Sequence, residues 1–253
     1  MNAAVLETVG LGKAFGALRV ADDISFRLQS GARHALIGPN GAGKTSFVNL
    51  VTGRLLPESG SVRLKGNDIT RMAPDRRVRE GLCRTFQISS LFSGLSVAEN
   101  VFLSIAERER VAWQMVRPAG RYRAVIEEAY AIVAGLGLGK VAAQAVGVLS
   151  YGQQRLVEIA VALALKPTVL LLDEPAAGVP STESAMILDV LEAMPQDLAI
   201  LLIEHDMDIV FRFARRITVL ERGRIMVEGT PDEIAANEDV RRVYFGEGDL
   251  ADV

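Results

Sequence analysis

The stretch GPNGAGKTS, from Gly38 to Ser46, has the spacing G-x-x-x-x-G-K-[ST] of a loop that cradles phosphate. An apolar strand, RHALIG, precedes it and a helical pattern, KTSFVNLVTG, follows. Gly38, Pro39, Asn40, Gly41, Ala42 and Gly43 form a turn that glycine keeps tight, so that N–H groups point inward. The helix N-terminus adds partial positive charge where phosphates would sit. Lys44 can reach β- and γ-phosphate oxygens, Thr45 can join the shell of a magnesium ion, and Ser46 can donate to an inner phosphate.

Such a loop serves kinases, GTPases, helicases and transport ATPases alike, so the second half of the chain has to decide. TVLLLDEP ends an unbroken apolar run in Asp173 and Glu174. At the carboxyl end of a strand in an open α/β sheet, side chains face the ligand crevice. Asp173 suits a water-mediated contact to magnesium, and Glu174, one residue on, suits a general base for an attacking water. AILLIEHDMD is a second buried run, ending in Glu204, His205 and Asp206. His205 is placed to touch the γ-phosphate or the water, whereas His34, inside a strand, reads as structural.

These groups need a scaffold. The early segments AVLETVGLGKAF, ISFRLQSG and SVRLKGND alternate apolar and polar residues and read as antiparallel strands. The middle, from about Ser89 to Leu149, reads as helices broken at Arg117–Gly120. After Ser150 buried strands alternate with helices, as in a parallel sheet. The end reads as a hairpin at Glu221–Gly223 and a helix capped at Thr230 with Pro231 in its first turn. The 253 residues carry 28 basic and 31 acidic side chains, a net charge of −3, which speaks against a broad nucleic-acid surface. The one cysteine, Cys83, excludes an internal disulfide and reads as a buried apolar residue. No apolar stretch is long enough to span a membrane, and the first residues lack the pattern of a signal peptide.

The order of P-loop, Gln87 in RTFQ, LSYGQQ, LLLDEP and EHD resembles the nucleotide-binding subunit of ATP-binding cassette (ABC) transporters, over essentially the whole chain. The resemblance implies a P-loop α/β core with a parallel sheet, an N-terminal antiparallel β subdomain and an inserted helical subdomain. By residue number, 1–88 and 150–253 would form the core, about 89–149 the insert and about 231–253 a helical tail. It implies ATP and magnesium as ligands. Leu149, Ser150, Tyr151, Gly152 and Gln153 would be the signature segment, which clamps the γ-phosphate of ATP held by a second subunit. Phe15 would stack on adenine, though an aromatic in an early strand serves a core equally well. Gln87 would touch magnesium or water. Two departures stand out: Tyr151 replaces the commonest glycine, and Pro180 replaces the usual Asp or Asn of the loop after Glu174, where a proline cannot donate.

Within the family the segments GLCRTFQISSLFSGLSVAENV, LSYGQQRLVEIA, DEPAAGV and EGTPDEIAANEDVRRVYFGE are similar to ATPase subunits of branched-chain amino-acid importers. That implies a homodimer or a pair with a similar ATPase, docked on two membrane permeases at the cytoplasmic face of the inner membrane and served by a periplasmic solute-binding protein. Residues from about Ile88 to Leu103 would receive the permease, with Leu91, Phe92 and Leu95 as apolar candidates that fit the insert's own core as well. Trp113 reads as core. Urea or amide import, lipopolysaccharide export, and a soluble ABC protein are the alternatives.

Overall fold

The computed structural model describes residues 4–85, 91–110 and 122–245. The readings made for Gln87, Ile88, Trp113 and the break at Arg117–Gly120 fall outside these residues. The chain divides into two compact units.

Unit one takes in the residues up to Leu82, Thr168–Glu174, and those from Pro195 onward. It opens with an antiparallel sheet in the order β2-β1-β4-β5, built from β1 (Ala4–Phe15), β2 (Leu18–Gln29), β4 (Ser59–Leu64) and β5 (Asn67–Asp68). The alternation seen in the sequence puts Leu6, Leu11, Ile24, Phe26 and Leu28 inside. The buried Thr8 hydroxyl bridges β2, donating to the Ile24 carbonyl at 3.0 Å and accepting from the Phe26 N–H at 3.0 Å.

The second sheet runs β10-β9-β3-β8-β7-β6, from β3 (Arg33–Ile37), β6 (Leu82–Arg84), β7 (Val169–Asp173), β8 (Ala199–Ile203), β9 (Arg216–Glu221) and β10 (Arg224–Gly229). β3 pairs in parallel with both β8 and β9, and β7 pairs in parallel with β8. Every residue of β3, β7 and β8 is buried, as continuous apolar runs require. The β9–β10 hairpin turns at Arg222 and Gly223, both at positive φ (47° and 78°), the signature of a primed two-residue turn.

Helix α1 (Lys44–Thr52) follows β3 and ends at Gly53, whose φ of 78° is the left-handed stop that the sequence predicts. Its Phe47 meets Phe26 edge-on at 5.6 Å, and Phe26 meets the His34 ring at 5.0 Å. Full burial of one such phenylalanine stabilises by about 2–3 kcal/mol, which fixes the helix against the β layers. Helix α2 (Pro74–Arg79) carries Arg77 into the interior, an element the sequence reading did not contain. Cys83 is buried, and burial pushes its thiol up to about 12. Among the described residues no helix is long and apolar enough to cross a membrane.

Unit two comprises Cys83–Pro167 and Pro175–Met194. It packs α3 (Val97–Arg108), α4 (Arg123–Gly135), α5 (Tyr151–Ala164) and α6 (Ser181–Glu192). The unit thus reaches beyond the insert read at 89–149, because α5 packs against α3, α4 and α6. Helix α3 begins with a full capping box, Ser96 with Glu99. The buried Asn100 side chain then ties down the loop before it, accepting from the Phe92 N–H at 2.9 Å and donating to the Phe92 and Ser96 carbonyls. Arg108 clamps Glu128 across α3 and α4 with two bonds of 3.0 and 2.6 Å.

Candidate functional site

The phosphate loop lies in unit one between β3 and α1. Three of its glycines are there for reasons of space and backbone. A Cβ on Gly38 would overlap the Leu220 carbonyl oxygen, and one on Gly43 would stand 2.5 Å from the Val20 carbonyl. Gly41 and Gly43 hold φ of 81° and 103°. The turn is cross-braced from the β9–β10 hairpin, whose Gly223 N–H donates to the Ala42 carbonyl at 2.8 Å. Gly43 is the N-cap of α1, so the helix starts at Lys44 with no side-chain cap. That leaves the helix end to an external acceptor.

The Lys44 ammonium folds back on its own loop, donating to the Gly38 and Pro39 carbonyls. Burial lowers its pKa, and the carboxylates of Glu174 and Asp173 pull the other way. Those two carboxylates therefore lie near enough to the lysine to favour its charged form. Asp173 closes β7 as a buried residue. Glu174 follows at φ 48°, its N–H donating to the Ile203 carbonyl at 2.9 Å. A non-glycine residue in the left-handed region is uncommon and costs about 1 kcal/mol or more. The backbone turns there, directly after the last strand residue.

From β8, the next strand, His205 places Nδ1 3.7 Å from Glu174 Oε1 and 3.6 Å from an oxygen of the buried Glu204. The His205 ring is largely exposed, at 62%. Asp206 caps the N-terminus of α7 (Met207–Phe213), accepting from Asp208 and Ile209, which fixes the bend carrying the histidine. His34, by contrast, is buried with Nε2 2.8 Å from Thr218 Oγ1, a core histidine as expected.

Phe15 ends β1 with 55% of its surface exposed, and the Lys13 ammonium stands 5.5 Å from its ring centre. An aromatic this exposed suits stacking more than core packing. Thr45 is exposed and Ser46 half-buried at the start of α1. Among the described residues no three His, Cys, Asp or Glu side chains converge to hold a metal ion. Thr45 and Asp173 are oxygen donors of the kind magnesium accepts when phosphates and water complete its shell, so the donor set fits an ion that arrives with a nucleotide. The tail reaches the same loop. After α8 (Pro231–Ala235), capped by Thr230 as predicted, α9 (Glu238–Phe245) buries the Tyr244 hydroxyl. Burial raises its pKa, and the Gly38 N–H opposes that from beyond hydrogen-bond geometry.

The segment Leu149–Gln153 belongs to unit two. Ser150 is the N-cap of α5, and Gln153 reaches back to the Ser150 N–H at 3.2 Å while its own N–H donates to the Ser150 hydroxyl at 3.3 Å. Gln154 donates to the Leu149 carbonyl at 3.1 Å. Tyr151 lies along its own helix, with the Arg155 guanidinium 4.8 Å from the ring centre and Arg155 Nη2 donating to the hydroxyl at 2.5 Å. Glu183, a residue the sequence reading did not single out, accepts from Ser150 and Gly152 through one carboxylate oxygen. Its only sequence signal is an acidic residue in the first turn of a helix. Pro180 is the N-cap of that helix, α6, and its carbonyl accepts from Glu183 and Ser184.

A family model for ABC transporters matches residues 21–177, and one for branched-chain amino acid ATP-binding cassette transporters matches residues 224–249. The high-affinity branched-chain amino acid transport ATP-binding protein BraF of Pseudomonas aeruginosa is 34% identical over 98% of this chain and 100% of its own length. The corresponding protein LivG of Escherichia coli is 33% identical over 98% of this chain and all of its own. Among solved structures, the ADP conformation of MJ1267, an ATP-binding cassette of an ABC transporter, superposes with a TM-score of 0.84 at 30% identity, covering 97% of this chain and 100% of that one. A nucleotide-free cassette gives 0.83 at 30% identity. The chain therefore belongs to the ATP-binding cassette family of ABC transporters, alongside the branched-chain amino-acid transport ATP-binding proteins.

Proposed function

We propose that this chain is the ATP-hydrolysing subunit of an importer for branched-chain amino acids or related small polar or aromatic-acid solutes. The observation that carries the chemistry is the convergence of Lys44, Asp173, Glu174 and His205 in one unit, with Glu174 and His205 3.7 Å apart. The family of transport relatives supports the solute class.

In this reading the loop from Gly38 to Ser46 binds the ATP phosphates, and Phe15 stacks on the base. Lys44 exchanges its loop carbonyls for β- and γ-oxygens. A nucleotide-borne magnesium ion, met by Thr45 and by Asp173 through water, with Gln87 as a further contact, would neutralise charge on those oxygens. Glu174 takes a proton from water as its oxygen attacks the γ-phosphorus, the bond to the β-phosphate oxygen breaks, and ADP leaves. His205 holds the water or the γ-phosphate in line. The second wall of each site is the Ser150–Gly152 segment of another subunit, identical or similar, whose helix end and hydroxyl face the γ-phosphate. Phe92, 60% exposed on a loop pinned by Asn100, supports an apolar seat for a membrane permease, with the half-buried Leu91 and Leu95 beside it. Such a subunit sits peripherally at the cytoplasmic face, and a periplasmic solute-binding protein supplies the cargo.

The test is the Glu174→Gln variant of the purified protein. It should bind ATP as the parent does and lose at least about 100-fold in kcat, the scale of a removed general base. Unchanged turnover would remove Glu174 from the reaction.

A further inference from the structure

One carboxylate oxygen of Glu183 accepts from the Gly152 N–H at 2.9 Å and from the Ser150 hydroxyl at 3.2 Å. Those are the two donors that, in the function proposed above, would meet the γ-phosphate held by a second subunit. Glu183 comes from the first turn of α6, so its charge lies between the positive ends of two helices, its own and α5. The approach is close enough that a side chain at position 152 would push the carboxylate aside. A Cβ on Gly152 would overlap the Glu183 carboxylate and stand 3.0 Å from its Cβ. The cradle at the start of α5 is therefore occupied by an anion belonging to the same chain.

We propose that Glu183 is a built-in stand-in for the nucleotide phosphate, holding the Ser150–Gly152 cradle closed in the isolated subunit and competing with a partner's ATP for it. The inference rests on the reading of that segment as the second wall of the site. A carboxylate and a phosphate cannot share one N–H and one hydroxyl, and their like charges repel at such range. Docking of a nucleotide-loaded partner thus requires Glu183 to swing out, and the fraction of subunits with the cradle free sets the apparent affinity of the pair. The device would keep lone subunits from pairing at low ATP.

The experiment compares ATP-driven dimerisation of the Glu174→Gln protein with that of the double variants Glu174→Gln/Glu183→Gln and Glu174→Gln/Glu183→Ala, by light scattering against ATP concentration. The midpoint should fall at least about fivefold in both double variants, while ATP affinity measured on dilute monomer stays the same. In the nucleotide-free protein, the Gly152 amide resonance should move when Glu183 is replaced by Gln. An unchanged or raised midpoint, or a Gly152 resonance indifferent to the replacement, overturns the proposal while leaving the two-subunit site standing. If neither the parent variant nor the double variants dimerise at any ATP concentration, the two-subunit reading fails and this inference falls with it.

Discussion

His205 Nδ1 stands 3.7 Å from Glu174 Oε1 and 3.6 Å from Glu204 Oε2, so one exposed imidazole faces two carboxylates from the ends of two adjacent parallel strands. Glu204 is buried and accepts from the His205 N–H at 3.0 Å, which sets the backbone that aims the ring. The spacing leaves the imidazole close to Glu174 without a direct bond, room that a water or a phosphate oxygen can use. Replacing His205 by Ala should lower kcat about 100-fold with little change in ATP affinity, since the loop proposed to bind phosphate is untouched. His205→Gln, which keeps a donor, should recover part of the loss. Steady-state kinetics with a direct binding measurement separate the two effects; a change confined to KM would show that His205 binds and does not position.

Arg77 tests how the phosphate-loop helix is anchored. Its guanidinium, 1% exposed, donates to the carbonyls of Met72 (2.9 Å), Leu50 (3.0 Å), Val51 (2.5 Å) and Thr70 (2.8 Å). Leu50 and Val51 lie in the last turn of α1, where the Leu50 carbonyl also accepts from the Gly53 N–H at 3.3 Å. Burial lowers the Arg77 pKa to about 10, so the side chain stays charged at neutral pH. Arg77→Met should strand several buried carbonyls and cost about 4 kcal/mol, a fall of roughly 10 °C in Tm. Thermal unfolding measures it directly, and a loss under 1 kcal/mol would mean that water replaces the guanidinium.

His34 gives the fold a pH dependence of definite sign. Burial lowers its pKa to about 4, with Glu228 opposing and Arg216 assisting. The unfolded chain would hold this histidine near 6.5, so folding favours the neutral ring. Its contribution is complete above about pH 6.5 and is lost as pH falls toward 4. The gap corresponds to about 3 kcal/mol. Urea unfolding at pH 7.5 and at pH 4.5 should show a drop in the parent that is smaller by about 2–3 kcal/mol in His34→Gln. Equal drops in the two proteins would place the acid sensitivity elsewhere.

The glycine loop at Gly38–Ser46, the Asp173–Glu174 pair and the Glu204–Asp206 bend were legible in the sequence as local structure, because each is a contiguous piece at the end of a strand. The strand that precedes each is an unbroken apolar run, which the parallel sheet requires. Arg77 and Glu183 were not legible. Arg77 binds carbonyls up to 27 positions away, and Glu183 meets Gly152 across 31, with no periodicity linking them. A charged residue in a short polar stretch reads as a solvated face until the backbone groups it satisfies are known. The extent of unit two was hidden for the same reason, since α6 follows a segment that in sequence belongs with the β7 carboxylates.

Tyr151 was legible as a departure but not as a compensated one. Its ring carries the Arg155 guanidinium 4.8 Å from its centre, and a Cβ on Gly178 would stand 3.5 Å from its Cε1. The ring thus lies beside the loop that leads into Pro180. Arg155 in turn donates to Glu158 at 2.8 Å, so ring, guanidinium and carboxylate form a row down one side of α5. Tyr151→Phe keeps the ring and removes one acceptor, and should cost about 1 kcal/mol. Tyr151→Gly restores the commoner residue but loses the ring, the acceptor and helix propensity together, and should cost about 2–3 kcal/mol. ATP binding to the isolated subunit should be the same in all three proteins, because the phosphate loop lies in the other unit. Chemical denaturation alongside nucleotide titration reads both quantities, and a glycine variant as stable as the parent would show that the row along α5 contributes nothing to holding the helix start.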